Sequence, residues 1–186
     1  MKTQFGQRVE LNGALQHTTK IHFCTEQLAL KWAHCTICAD FLSQWYSNVL
    51  SAHRFTGKLN DAAHSISYMA NELIENAIKF RAGGDVEIEA GLAGDDLFVL
   101  EIGNSISSET SHKFQELLEE ITNGDPGELL IQRIEANAAG ESSGSGLGLL
   151  TLMNDYGAKI SWRFEKKDTM ADSPVHLTTV AQLQLH

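Results

Sequence analysis

Near its middle the chain switches hydrophobic period, and that switch limits the folds open to it. Between residues 60 and 81, Ile66, Met69, Ala70, Leu73, Ala77 and Phe80 recur at the 3.6-residue spacing of an amphipathic helix. Gly83-Gly84 closes the pattern, as glycine does past a helix C-terminus. Val86, Ile88, Ala90 and Leu92 then alternate, Ala93-Gly94-Asp95-Asp96 supplies a turn, and Leu97 to Ile102 returns. A long amphipathic helix running straight into a hairpin calls for a mixed, mostly antiparallel sheet with helices on one face. The expected class is an α+β two-layer sandwich.

The flanks extend this picture. Residues 8 to 11 and 20 to 24 read as short strands, and residues 26 to 52 as a helix with Thr25 as N-cap. Residues 103 to 146 are polar and glycine-rich around two helical pieces. The first carries Phe114, Leu117, Leu118 and Ile121, the second Leu130, Ile131 and Ile134. A helix from Leu147 to Tyr156, a strand from Lys159 to Phe164 and a last strand alternating from Val175 to Leu185 complete the order. With 186 residues, two prolines and no linker-like tract, a single domain is expected. Its parts are residues 1–58, a site-bearing core over 59–164 and a C-terminal strand over 165–186.

A net charge of −10 disfavours non-specific contact with nucleic acid or anionic membranes. No apolar run reaches the roughly 18 to 20 residues of a membrane span. The opening Met1-Lys2-Thr3-Gln4 has no signal-like stretch, so a cytoplasmic protein is expected. Three cysteines do not make a disulfide framework. Cys35 and Cys38 form a C-x-x-C with Cys24, His22 and His34 nearby, a pattern that raises zinc or redox chemistry. A single knuckle is weak for zinc, however. Leu28, Trp32, Cys35, Ala39, Leu42, Trp45 and Val49 repeat at helical spacing, so core packing is the expectation for both cysteines. Trp32, Trp45 and Tyr46 could face the core or a second copy of the chain, and the core is preferred.

Two stretches point to chemistry. In Asn71-Glu72-Leu73-Ile74-Glu75-Asn76-Ala77-Ile78-Lys79-Phe80, residues Glu72, Asn76 and Lys79 fall at i, i+4 and i+7 on one helix edge. A carboxylate, an amide oxygen and an ammonium in that order can activate a hydroxyl, hold Mg²⁺ and meet a phosphate. An amphipathic helix with a merely solvated polar face would look the same. The second stretch, Gly144-Ser145-Gly146-Leu147-Gly148-Leu149, opens a helix, where a bare backbone and unpaired N–H groups suit an anion. It lacks the preceding strand of a Rossmann turn and the Gly-Lys-Ser/Thr ending of a P-loop.

Taken in this order, with a hairpin and a long segment between them, the two stretches resemble the N-box and G2 box of the GHKL superfamily. This superfamily of Bergerat-fold ATPases includes histidine kinases, anti-sigma factor serine kinases, gyrase and MutL. The resemblance covers roughly residues 60 to 164 and implies ATP and Mg²⁺ as ligands. It implies Asn76 as the Mg²⁺ ligand, Lys79 on phosphate, and Gly144, Gly146, Leu147 and Gly148 around the triphosphate. Residues 105 to 143 would then be an ATP lid. The family's adenine-reading aspartate has no counterpart. Strand parity through Leu100 and Ile102 puts Asn104 at that position, whereas matching the following glycine would put Glu101 there, and parity is preferred.

No histidine has the sequence context of a phospho-acceptor box; His64 is the nearest helical candidate. The stand-alone domain with Glu72 four residues before Asn76 is most similar to anti-sigma-type and SiaB-like serine/threonine kinases. That likeness implies Glu72 as general base on a hydroxyl of a small STAS-like or SiaC-like partner. A non-catalytic ATP-sensing module, whose lid governs partner binding, is the competing expectation. A second copy of the chain is a further candidate partner.

Overall fold

The structure, a computed structural model, describes residues 2–7, 14–24, 32–53, 55–140, 146–166 and 173–186. Along the chain run β1 (Lys2–Gly6), β2 (Gln16–Phe23), α1 (Trp32–Ala52), α2 (Leu59–Lys79), β3 (Val86–Ala93) and β4 (Leu97–Ile106). They are followed by α3 (Ser108–Asn123), α4 (Pro126–Ala138), α5 (Leu147–Asn154), β5 (Lys159–Lys166) and β6 (Val175–Gln184). The expected strand at 8–11, Thr25 and the expected start of α1 lie outside the described residues.

The strands form one sheet in the order β1-β5-β6-β4-β3-β2. Every strand pairing among the described residues is antiparallel, so the mixed sheet expected is in fact uniform. Alternation decides which side chains go inside. Val86, Ile88, Ala90 and Leu92 on β3, and Phe98, Leu100 and Ile102 on β4, are buried. Together with Ile160, Trp162 and Phe164 of β5 they pack in one cluster with Cys35, Leu42 and Tyr46 of α1 and Ile66, Met69 and Leu73 of α2. The opposite face of the sheet carries Glu87, Glu89, Glu101 and His176. It is the α+β two-layer sandwich expected.

Local details explain the differences from the sequence reading. β4 runs on to Ile106 instead of stopping at Ile102, because β6 pairs with it as far as Ile106–Val175. The segment expected as a lid from residue 105 is therefore still strand at Ile106, and its first helix, α3, starts at Ser108, three residues later. β1, absent from the sequence reading, adds to the edge beside β5, where Phe5 packs edge-on against Phe164 at 5.8 Å. α1 lies against α2 with the Ser43 hydroxyl donating to the Ala63 carbonyl at 2.8 Å. Tyr46 belongs to the core, as preferred, but Trp45 is 46% exposed and the stripe Ile37-Phe41-Trp45 faces outward. The side chain of Trp32 is outside the described residues. Among the described residues no helix is long and apolar enough to cross a membrane.

Candidate functional site

The polar edge of α2 opens into a cavity of about 690 Å³. Glu72, Asn76 and Lys79 all line it, as their spacing on one helix edge requires. Asn104 of β4 and Thr179 of β6 are on the sheet side, while Thr110 and Lys113 of α3, Arg133 of α4, and Gly146 and Gly148 at the start of α5 lie opposite. The two expected motifs thus meet around one space. Gly144 and Ser143 lie outside the described residues.

Each glycine of the turn meets a specific demand. Gly146 is the N-cap of α5 at φ 86°, a left-handed conformation that strains any residue with a Cβ. Gly148 sits so close to α2 that a Cβ there would collide with the Glu72 carboxylate. That carboxylate therefore rests against the first turn of α5. Leu147 turns the other way. Its side chain packs with Ile121, Leu130 and Leu150, so it fastens α5 to α3 and α4, and only its backbone is left for the cavity.

Burial raises the Glu72 carboxyl above the usual carboxylate range, and the charge of Glu75 adds to the effect. A carboxylate raised toward neutrality is a stronger base than a free one. Lys79 ends α2 with its ammonium 5.2 Å above the Phe80 ring. Arg133 donates to Glu120 at 2.7 Å and also borders Gly146. Lys113 is paired with Glu109 at 2.8 Å at the helix surface. The sequence reading missed Lys113 and Arg133 because neither belongs to a motif; only the packing of α3 on β1 and of α4 on α5 brings them to the cavity.

Asn104 is 2% exposed and lies on the helix-covered face with Leu100 and Ile102, whereas Glu101 points to the other face. Strand parity thus places Asn104, not Glu101, in the cavity. Its amide donates to the Ala77 carbonyl in the last turn of α2 at 3.2 Å. Such end-of-helix carbonyls have no partner within the helix.

Other candidates fall elsewhere. Cys35 is buried, and Cys38 is half-buried against the same core. Burial first, and then the charge of Glu75, raises the Cys35 thiol; burial and then Cys35 raise that of Cys38. Both thiols therefore give up their proton less readily, which disfavours the thiolate that metal or redox chemistry uses. His64 is exposed, with Nε2 3.3 Å from the Tyr156 hydroxyl, and does not line the cavity. Of the acidic residues between β4 and α5, Asp125 caps α4 by accepting from the Glu128 N–H at 2.9 Å and Glu120 holds Arg133.

No known protein family and no curated protein matches this chain. Its fold is similar to that of a chain in the crystal structure of the SiaB–SiaC complex from Pseudomonas aeruginosa, with a TM-score of 0.59 at 16% identity. The likeness covers 78% of this chain and 83% of that one, so it is a likeness of the whole fold.

Proposed function

We propose that this chain is a GHKL-type, SiaB-like kinase that binds ATP with Mg²⁺ in the α2–α5 cavity and phosphorylates a small partner protein. The observation that carries the reading is the contact of Glu72 with Gly148, which joins the helix-edge triad to the glycine turn in one space. The donor set suits the ligands. Asn76 would hold Mg²⁺ through its amide oxygen, the kind of hard oxygen ligand this ion takes, and Mg²⁺ would neutralise phosphate charge. Lys79 and the first backbone N–H groups of α5 would hold the phosphates. Asn104 would accept from the adenine amino group through its amide oxygen.

In the transfer, a partner serine or threonine oxygen bonds to the γ-phosphorus while the bond from that phosphorus to the β–γ bridging oxygen breaks. ADP leaves, and Glu72 takes the hydroxyl proton. The partner would be a STAS-like or SiaC-like protein, by analogy with the SiaB–SiaC complex, one chain of which has a fold similar to this one. A second copy of the chain is the other partner within this reading, through the outward stripe of α1.

Calorimetric titration with ATP, with and without Mg²⁺, tests the site beside Asn76→Ala. Mg²⁺-dependent binding that disappears in the variant is expected; equal affinity in both proteins would overturn the assignment. A second reading, ATP sensing without transfer, is favoured by the use of the Asn104 amide as a helix cap. Glu72→Gln separates the two: transfer to a partner is lost while ATP binding remains if Glu72 is the base.

A further inference from the structure

The sequence groups His22 and Cys24 loosely with the C-x-x-C of α1, but the fold parts them. Cys35 and Cys38 go inward, while His22 and Cys24 stay exposed at the end of the edge strand β2. The register there is Phe23 opposite Val86 and His22 opposite Glu87. One step further along, Cys24 comes opposite Asp85. Ile21 and Phe23 pack against the core, so alternation sends His22 and Cys24 to the open face, and Asp85, next to buried Val86, to the same side. Their ligand atoms lie within 4.8 Å of one another, and His22 Nε2 is 2.9 Å from Asp85 Oδ2.

From this geometry we infer a second cation site, His22–Cys24–Asp85, for zinc or a similar borderline divalent ion. It is separate from the α2–α5 cavity and independent of nucleotide. Ligand atoms about 2.0–2.3 Å from a tetrahedral zinc lie roughly 3.3–3.8 Å apart. The three atoms are thus already near that spacing, and side-chain rotation of exposed residues completes it. An imidazole nitrogen, a thiolate and a carboxylate suit zinc and exclude Mg²⁺, which takes oxygen. Three protein ligands leave the fourth position to water or to a group from outside. A bound ion would clip the end of the edge strand β2 to the start of β3, just past the last pair of their ladder.

The test is titration of the full chain, under reducing conditions and without nucleotide, with Co²⁺ as the spectroscopic probe and Zn²⁺ as competitor. One equivalent of Co²⁺ should produce a cobalt–thiolate charge-transfer band that Zn²⁺ removes and excess Mg²⁺ does not. Cys24→Ser should abolish the band. His22→Ala and Asp85→Ala should each weaken binding at least about tenfold. Cys38→Ala should leave the band unchanged. All three ligands are exposed, so circular dichroism should show each variant folded. The absence of a band in the parent, its survival in Cys24→Ser, its loss in Cys38→Ala, or displacement by Mg²⁺ would overturn the site. Loss of ATP binding elsewhere would not affect it, and the two sites therefore fail separately.

Discussion

An amide at position 104 can donate as well as accept, and the carbonyl of Ala77 at the end of α2 uses the donor. An aspartate in its place could only accept, and would set a buried carboxylate beside a carbonyl oxygen. Asn104→Asp should therefore cost about 1–3 kcal/mol of stability near neutral pH, measured by chemical denaturation. Glu72 supplies the opposite case. Its carboxyl is raised by burial and by Glu75, so the ionised form weakens the fold. That cost is absent below the unfolded-state carboxylate pKa, and sets in as pH rises through that value to the raised folded one. Glu72→Gln should thus raise the melting temperature at neutral pH, with a gain that shrinks in acid; a gain that grows in acid would contradict the assigned environment. Gly148→Ala needs only the flexible end of Glu72 to move. It should leave a folded protein with Glu72 displaced, and so lower transfer far more than stability.

At the scale of elements, segments whose own period names them were legible. The helix spacing of Ile66 to Ala77 and the alternation of Val86 to Leu92 fix α2 and β3 without help from the rest of the chain. The same spacing is why Glu72, Asn76 and Lys79 could be placed on one edge. Elements settled by distant partners were not legible. Gly103-Asn104-Ser105 has the composition of a turn, yet it is strand because β6 lies alongside. Lys2–Gly6 has too few apolar residues to announce a strand before β5 is present to pair with it. On α4, Leu130 is buried but Ile131 and Ile134 are exposed, because one face of that short helix is enough to hold it on α5. The segment carrying α3 and α4 is fastened there through Leu150, Leu130 and Ile121. Leu150→Ala should cost roughly 2–5 kcal/mol and speed amide exchange in α4 more than in the hairpin β3–β4. Equal acceleration in both would mean that α4 is not a separate cooperative unit.

The whole molecule carries a net charge of −10, so two copies approaching through most of its surface repel one another. α1 differs from that surface: of its 21 residues only Asp40 carries a formal charge at neutral pH. Ile37, Phe41 and Trp45 recur every four residues along its outer side, and the last two rings stack at 6.4 Å. This stripe is where two copies could meet without bringing like charges together, and apolar side chains at that spacing suit antiparallel helix packing. Sedimentation should detect a dimer, strengthened by salt as the residual repulsion is screened. Phe41→Asp should dissociate it while leaving the fold intact, since the side chain is 47% exposed. A chain that remains monomeric at high concentration in both low and high salt would rule out the second copy as occupant. A dimer that survives Phe41→Asp would place the interface elsewhere.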